Sequence, residues 1–418
     1  NKVFCIMISS TKTETSSLSH VDQKLSVQCK TFTNDSTAIR SLDWDRSRFD
    51  IEFGLRNGTT YNSFIIQGEK TAVIDTSHSK FEKLWLENLT QQINPKNISY
   101  LISSHTEPDH SGLISDLLDL NPEITIVGSK IALKFIEDQI HRPFNRLEVK
   151  SGDFLELGIN NESGLDHKME FISAPNLHWP DTIFSYDHGT KVLYTCDAFG
   201  LHYCSNEFFD SNQKEIFKDF RFYYDCLMGP NARSVVQAIK KIDKLPEVKA
   251  IAVGHGPILQ HHVNFWKDKY SEWSNNKNKG NDFVAVCYIS DYGFCDRLSQ
   301  ALSHGIGKAD AQVQLVDLRS SDPQELTALI SEAKAVVIPT WPNKPDIEIQ
   351  ESIGTLFAAL KPKQFTATYD SFGGNDEPID SLANKLRELK QKEALTPLRV
   401  KETPNPIIYQ KFEEAGTD

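Results

Sequence analysis

The chain has 418 residues, 39% of them hydrophobic, and a formal net charge of −12. Its length exceeds what one hydrophobic core usually serves, so we expect two domains. The acidic balance argues against a nucleic-acid partner, because binding to a phosphate backbone needs clustered Lys and Arg. No apolar run approaches the roughly 20 residues of a membrane span. Seven cysteines without a CxxC pair are typical of a reduced compartment.

The first part of the chain carries little structural signal. Residues 9–30 are rich in Ser and Thr and lack Arg, which suits a disordered leader or the remnant of an organelle transit peptide. Glu14 and Asp22 weigh against the transit peptide. We therefore expect residues 1–35 to form a disordered leader.

Residues 36–274 are predicted to form the first domain. Three short strand-like runs, broken by Asn57-Gly58 and Gly68, indicate an antiparallel meander. Further strands then alternate with helices, a pattern that favours stacked sheets covered by helices. The predicted strands are 49–53, 62–66, 71–75, 98–103, 124–127, 168–172, 182–186, 192–195 and 250–253, and the helices are 80–91, 111–118 and 129–140.

The stretch from Ser103 to Gly112 places four metal-capable side chains within six positions, directly after a predicted buried strand. They are His105, Glu107, Asp109 and His110. Pro108 argues against a regular helix through them, and an extended backbone puts the first three on one side. The alternative is a polar loop that caps a helix at Ser111. Two His and two acids at this spacing favour a metal site.

Three more candidate ligands, His178, Asp197 and His255, lie in loops close to predicted strands. Each alone is more often a hydrogen-bonded structural residue. Because the strand ends of one sheet face the same edge, such loops can meet at one point. Four His and three carboxylates can hold two metals, with Asp197 as the bridge. Imidazole and carboxylate ligands without thiolate suit iron, manganese or zinc.

The motif His105-x-Glu107-x-Asp109-His110, followed by His178, Asp197 and His255, resembles the metallo-β-lactamase-like domain of flavodiiron proteins. Zinc hydrolases of that superfamily usually carry His-x-His-x-Asp-His, so Glu107 distinguishes the two. The resemblance implies that all seven residues serve a non-haem di-iron centre bridged by Asp197, although the residue at the position of His110 coordinates only in some members. Similarity to the photosynthetic type lies in Asp43-Trp44-Asp45, Tyr61-Asn62-Ser63, His178-Trp179-Pro180-Asp181 and Cys196-Asp197-Ala198-Phe199-Gly200.

The second domain is predicted at 283–418, after a polar linker at 275–282. Its strands and helices alternate, which implies a doubly wound parallel sheet with a ligand at the strand ends. The predicted strands are 283–289, 313–316, 335–338 and 364–368, and the helices are 294–303, 324–333, 347–360 and 379–391.

Three loops at those strand ends predict a cofactor site. The first leads into a helix whose free N–H groups can hold a phosphate, although an ordinary strand-to-helix turn looks the same. The other two carry aromatic residues that can flank a flat ring. The domain resembles a flavodoxin, which implies FMN, but Tyr292 and Cys295 replace hydroxyl residues of the usual phosphate loop. The implied FMN contacts are Ser290, Asp291, Tyr292, Gly293, Phe294, Cys295, Pro339, Thr340, Trp341, Asn343, Ser371, Phe372, Gly373 and Gly374.

The resemblance also implies an activity. A member of this family is an oxidoreductase that reduces O2 to water, or NO to N2O, at two Fe fed by FMN. Photosynthetic-type members act mainly on O2, which implies an electron sink in the cyanobacterial cytoplasm or the chloroplast stroma. Two alternatives remain: a zinc-dependent hydrolase of the same fold, and an inactive partner subunit of a hetero-oligomeric complex.

The resemblance further implies partners. In the family, the flavin and the irons of one chain are too far apart for fast electron transfer, so we expect a head-to-tail homodimer or a heteromer with a paralogue. The electron donor is expected to be a flavin reductase domain or a ferredoxin- or NAD(P)H-linked reductase. No Gly-x-Gly-x-x-Gly turn follows a strand. Photosynthetic-type members carry a further flavin-reductase-like domain after the flavodoxin-like one, so the resemblance implies that this chain is the core of a longer protein, without the C-terminal flavin reductase domain. We therefore expect the chain to turn over NADPH poorly without an added reductase.

Overall fold

The computed structural model describes residues 24–49, 53–278, 282–289, 295–309, 311–319, 321, 323–341, 345–370, 379–400 and 405–418. Within these ranges, two sheets of seven and five strands build the first half of the chain, and a separate five-stranded sheet builds the second half. None of the helices described is long and apolar enough to cross a membrane.

The strands are numbered in chain order. They are β1 Leu25–Thr31, β2 Ser36–Asp43, β3 Arg48–Phe49, β4 Phe53–Gly54, β5 Thr59–Gln67, β6 Thr71–Ile74, β7 Ile98–Ile102, β8 Thr125–Gly128, β9 Asn145–Glu148, β10 Phe154–Ile159, β11 Asp166–Ser173, β12 Ile183–Asp187, β13 Val192–Cys196, β14 Ala250–Val253, β15 Phe283–Tyr288, β16 Gln312–Asp317, β17 Ala335–Pro339, β18 Phe365–Tyr369 and β19 Lys392–Glu393.

The helices are numbered in the same way. They are α1 Glu82–Gln92, α2 Pro108–Ser111, α3 Ile114–Leu120, α4 Lys130–Ile140, α5 Gln213–Tyr223, α6 Ala232–Ile242, α7 Val263–Lys277, α8 Cys295–Lys308, α9 Pro323–Glu332, α10 Ile347–Ala359, α11 Ile379–Glu388 and α12 Pro406–Thr417. A π-helical segment, Tyr224–Met228, continues α5 toward α6.

The first sheet has the order β1-β2-β5-β6-β7-β8-β9. Its first four strands pair antiparallel, and β6 to β9 pair parallel. Of the predicted meander, 62–66 and 71–75 correspond to β5 and β6, but the predicted strand 49–53 was wrong, because β3 and β4 at its ends pair with each other in a separate two-stranded sheet. Strand β1 corrects the prediction of a disordered leader over 1–35, because Leu25 to Thr31 pair along the whole of β2. Residues 1–23 lie outside the described part of the chain.

The second sheet, β10-β11-β12-β13-β14, packs face to face against the first. Ile102 of the first sheet and Tyr194 and Ala252 of the second share one buried cluster. Helices α1, α3 and α4 cover the outer face of the first sheet, and α5, α6 and α7 cover that of the second. The predicted stacked sheets covered by helices, an αββα sandwich of the metallo-β-lactamase-like kind, are therefore confirmed.

The third sheet has the order β16-β15-β17-β18-β19, and every pair in it is parallel. In order along the chain this is 2-1-3-4-5, the arrangement of a flavodoxin-like doubly wound fold. The alternation of strands and helices predicted this arrangement correctly, although β19 and α12 were not among the predicted elements.

The joint between the halves differs from the prediction. Helix α7 continues to Lys277, so the predicted linker at 275–282 begins inside a helix. The reason is burial: Ser274 is fully buried, and its hydroxyl lies 2.8 Å from that of Tyr224. Across the joint, the Tyr288 hydroxyl donates a 2.8 Å hydrogen bond to Oδ1 of Asn176. The second half thus contacts a loop that leads to the candidate ligand His178.

Candidate metal centre

The ligand loop between β7 and α2 is held at both ends by buried hydrogen bonds. The N–H of Ser104 donates to Oδ1 of Asp75 at 2.8 Å, and the hydroxyl of Thr76 donates to the carbonyl of His110 at 2.7 Å. No helix runs through all four ligands, as expected, because α2 begins only at Pro108 and contains Asp109 and His110 but not His105 or Glu107. Proline is tolerated in the first helical turn, where its missing N–H has no intrahelical partner.

The structure brings all seven predicted ligands together, in two groups. Within each group the candidate ligand atoms lie within 4.8 Å of one another. The first group is His105, Glu107, His178 and Asp197, and the second group is Asp109, His110 and His255. The thiol of Cys196 also lies within this distance of His110 and Asp197, but burial raises its pKa well above the usual value, which disfavours a thiolate. In the first group, Oε2 of Glu107 lies 3.3 Å from Nε2 of His105 and 3.0 Å from Nε2 of His178.

Asp197 lies between the two groups and faces both. Its Oδ2 lies 3.4 Å from Nε2 of His105 and 3.2 Å from Nε2 of His178. Its Oδ1 lies 3.0 Å from Nε2 of His110 and 3.2 Å from Nε2 of His255. One carboxylate oxygen toward each group is the geometry of a residue shared by two metal positions.

Several buried ligand atoms make no hydrogen bond of good geometry within the described ranges, although groups of opposite charge lie 3.2–3.6 Å away. They are both carboxylate oxygens of Asp109, Oδ2 of Asp197 and Nε2 of His255. An unsatisfied buried polar group costs about 1–3 kcal/mol, so an arrangement of this kind needs bound partners. Metal ions satisfy such atoms, and a set of four imidazoles and three carboxylates without thiolate suits iron, manganese or zinc. The residues present therefore fit a di-metal centre.

Outer hydrogen bonds orient two of the imidazoles. Nδ1 of His105 lies 3.2 Å from Oδ1 of Asp181, and Nδ1 of His255 donates to the carbonyl of Thr60 at 2.6 Å. Because each contact uses Nδ1, the Nε2 atom of each ring can face the site. Such partners fix the tautomer and the direction of a metal-binding histidine.

Two opposing effects set the pKa values of the candidate ligands, namely burial and close pairing with groups of opposite charge. Burial alone lowers the pKa of His178 and His110, but Glu107 raises that of His178 to about 10, and Asp109 with Asp197 raises that of His110 to about 9. Burial raises the pKa of Glu107, but His178 and His105 hold it well below its usual range. Without metal, these imidazoles hold protons at neutral pH, and a metal must displace them.

Sequence analysis missed two buried residues beside the second group, His202 and Tyr223. The ring of His202 lies 4.8 Å from that of His255 and 4.8 Å from that of Tyr223, between centroids. Burial and the neighbouring His255 lower the pKa of His202 well below its usual value. The only available signal was a histidine in a loop five residues after Asp197.

The predicted FMN contacts lie mostly outside the described residues, namely 290–294, Asn343, 371–374 and the side chain of Cys295. Pro339, Thr340 and Trp341 are described: Pro339 is the last residue of β17 and not part of the loop after it, whereas Thr340 and Trp341 follow the strand as predicted. The N–H of Thr340 donates to the carbonyl of Tyr369 at 2.9 Å, and Trp341 packs on Phe357 with ring centroids 6.2 Å apart. The FMN site remains a prediction.

Fold and site together define a two-domain protein, with a candidate di-metal centre in a β-lactamase-like half and a flavodoxin-like second half. A family described as "ODP family beta lactamase" matches residues 59–256. "Diflavin flavoprotein A 1" from Synechocystis sp. is 50% identical over 396 residues, which are 95% of this chain and 68% of that protein. This chain belongs to the flavodiiron family of diflavin flavoproteins.

Solved structures agree with this membership. The "Metal soaked Flv1 flavodiiron core" from Synechocystis sp. is 30% identical with a TM-score of 0.76, covering 94% of this chain and 97% of that chain. Rubredoxin oxygen:oxidoreductase from Desulfovibrio gigas is 25% identical with a TM-score of 0.56, covering 93% of this chain and 97% of that chain. Membership supports an oxidoreductase of the oxygen- or nitric-oxide-reducing kind and implies flavin and iron as cofactors.

Proposed function

We propose that this chain reduces O2 to water at a non-haem di-iron centre that receives electrons from FMN. The observation that carries the proposal is the position of Asp197, with one oxygen toward each of two histidine and carboxylate groups. Glu107 supports iron over zinc, because carboxylate-rich sites favour harder ions than histidine-rich ones.

The role of each group follows from its contacts. Two irons and one FMN, when bound, would together supply the four electrons that turn O2 into two waters. The seven ligands would hold the irons, and Asp181 and the carbonyl of Thr60 would keep the rings of His105 and His255 aimed at them. The side chains of Glu107 and His178 keep 13% and 9% exposure. The other ligands are more deeply buried, so the site restricts the release of partly reduced oxygen.

Three alternatives compete with this function. Reduction of NO to N2O would use the same ligands and the same flavin. A zinc-dependent hydrolase would use the same first domain, but Glu107 and the flavodoxin-like half argue against it. An inactive partner subunit is disfavoured because all seven ligand positions are filled.

Cofactor stoichiometry tests the proposal most directly. Protein reconstituted with iron and FMN should contain about two irons per chain, as a di-metal site implies, and should show a flavin spectrum. With a supplied reductant it should consume O2 without accumulating hydrogen peroxide. A preparation that retains only zinc after iron reconstitution, or that forms peroxide stoichiometrically, would overturn the proposal.

The assembly and setting belong to the same proposal. We propose a head-to-tail homodimer, or a heteromer with a paralogue, so that the FMN of one chain serves the irons of the other. The donor would be a flavin reductase domain or a ferredoxin- or NAD(P)H-linked reductase. The cyanobacterial relative supports a role as an electron sink in photosynthesis, in the cyanobacterial cytoplasm or chloroplast stroma. A strictly monomeric protein with full turnover in sedimentation and kinetic measurements would contradict this assembly.

A further inference from the structure

His202 lies beside the second group in a closely packed aromatic environment. Its ring centroid is 4.2 Å from that of Phe49, 4.8 Å from that of Tyr223 and 4.8 Å from that of His255. The residue is 8% exposed. It is not one of the seven predicted ligands, so metal binding does not explain why a buried histidine occupies this position.

The contacts of Thr59 bear on the tautomer of His202. The Nδ1–H of His255 donates to the carbonyl of Thr60 at 2.6 Å and lies 3.4 Å from the Thr59 hydroxyl oxygen. The Thr59 hydroxyl oxygen lies 2.8 Å from Nδ1 of His202 and 3.4 Å from the carbonyl oxygen of Thr60, so its hydrogen has two acceptors, of which Nδ1 of His202 is the nearer. With Nδ1 of His202 accepting, the remaining proton of the ring lies on Nε2.

The Nε2–H of His202 is then a buried donor without a partner among the residues that the structure describes. Leaving such a donor unpaired costs about 1–3 kcal/mol, so a buried donor of this kind normally pairs with a water, an ion or a ligand. The neighbouring hydroxyl of Tyr223 is likewise buried without a partner in the described ranges. Two unpaired donors beside the second group point to an acceptor that arrives with the substrate.

We propose that His202 positions a small oxygen- or nitrogen-containing ligand beside the second group, by donating a hydrogen bond from Nε2 to an acceptor atom of that ligand. The inference rests on the proposed function in one respect, namely that the ligand is held at a metal. His202 is in this view a positioning residue, and Thr59 sets the tautomer that makes it a donor. A residue that only filled space would need neither the hydrogen bond with Thr59 nor a buried Nε2 donor.

Azide binding to the metal-loaded protein tests this inference without measuring turnover. Azide is a small anion with acceptor nitrogens, and its binding to ferric ions is followed by a charge-transfer band in the visible. His202→Phe keeps the bulk of the ring and removes the donor, whereas His202→Gln keeps an N–H donor. Thr59→Val removes the hydroxyl that sets the tautomer, and Thr59→Ser keeps it. Metal content is measured for each variant, and affinities refer to the metal-loaded fraction.

We expect the azide dissociation constant to rise about ten-fold or more in His202→Phe, the usual effect of losing a hydrogen bond to a charged partner. Thr59→Val should weaken azide binding in the same direction, and His202→Gln and Thr59→Ser should stay close to the wild type. Equal affinity in the wild type and His202→Phe would overturn the inference. So would equal losses in His202→Phe and His202→Gln, because ring shape would then decide binding.

The same titration with cobalt(II) in place of iron separates this inference from the proposed function. Cobalt(II) binds sites of imidazole and carboxylate and reports ligand binding by its visible spectrum. A wild-type protein that fails to take up iron would count against the proposed function. The cobalt-loaded variants would still show whether His202 contributes a hydrogen bond to a bound ligand.

Discussion

Oδ1 of Asp181 lies 3.2 Å from Nδ1 of His105, on the side of the ring opposite the metal-facing Nε2. The other oxygen of Asp181 accepts from the N–H and the hydroxyl of Thr106, at 2.8 and 2.6 Å. One buried carboxylate therefore orients both the first ligand and the loop that carries it.

Replacing Asp181 by Asn should weaken metal binding by about 10–100-fold, because the outer partner of a metal-binding histidine sets its orientation and basicity. Competition with a chelator measures the effect. Thr106→Val is the matched control: it removes one hydroxyl contact to the same carboxylate and should change the affinity much less. Equal affinities in Asp181→Asn and the wild type would show that His105 needs no such partner.

Replacing Asp197 by Ala should remove most of the metal from both positions, because each loses a charged ligand at once. Iron content after reconstitution and O2 uptake with a supplied reductant are the measurements. Asp243→Ala changes an exposed carboxylate that pairs with Lys267 and should leave about two irons bound. Near-wild-type activity in Asp197→Ala would be incompatible with the assigned bridge.

Metal binding should release protons and strengthen as the pH rises. The pKa of His178 is raised to about 10, that of His110 to about 9, and that of His105 is also raised well above its usual value. At pH 7 these three rings are protonated without metal, so loading both positions should displace about three protons. Calorimetry in buffers of different ionisation enthalpy measures the number. Affinity independent of pH between 6 and 9 would contradict these charge states.

His167, which is not one of the candidate ligands, should make stability depend on pH. Its two ring nitrogens lie 2.9 Å from the carboxylates of Asp35 and Asp187. Burial lowers its pKa, but the hydrogen bonds and charges of these two residues raise it above its usual value. The stabilisation is therefore complete below the unfolded pKa of about 6.5 and is lost as the pH rises through the folded pKa.

His167→Gln should lower the free energy of unfolding by about 3 kcal/mol at pH 6, because two buried carboxylates lose their cation, and by less at pH 9. Urea unfolding followed by tryptophan fluorescence measures it, since five of the six tryptophans lie within residues 36–274. His188→Gln, which breaks a half-exposed pair with Glu170, should cost under about 1 kcal/mol. A His167→Gln effect of the same size at both pH values would refute this linkage.

The local sequence pattern was enough to predict the ligand loop and the sheet of the second domain. The spacing of His105, Glu107, Asp109 and His110 after an apolar strand identified the ligand loop, because both are properties of consecutive residues. The alternation of strands and helices after residue 282 determined the doubly wound sheet for the same reason. Strand β1 was missed because the Ser- and Thr-rich composition of residues 9–30 favours a leader. Its own alternation of Leu25, Val27 and Cys29 with polar residues is a strand signal, and these three side chains pack against the buried cluster on the outer face of the first sheet.

Only the tertiary structure decided how the seven ligands divide into two groups and which oxygen of Asp197 faces each. It also supplied Asp181 and His202, whose roles depend on contacts with His105 and His255 across 76 and 53 positions of the chain. Nothing in the local sequence specifies such a contact. Both depend on the packing of one sheet against the other, which brings the loops at their strand ends to the same edge.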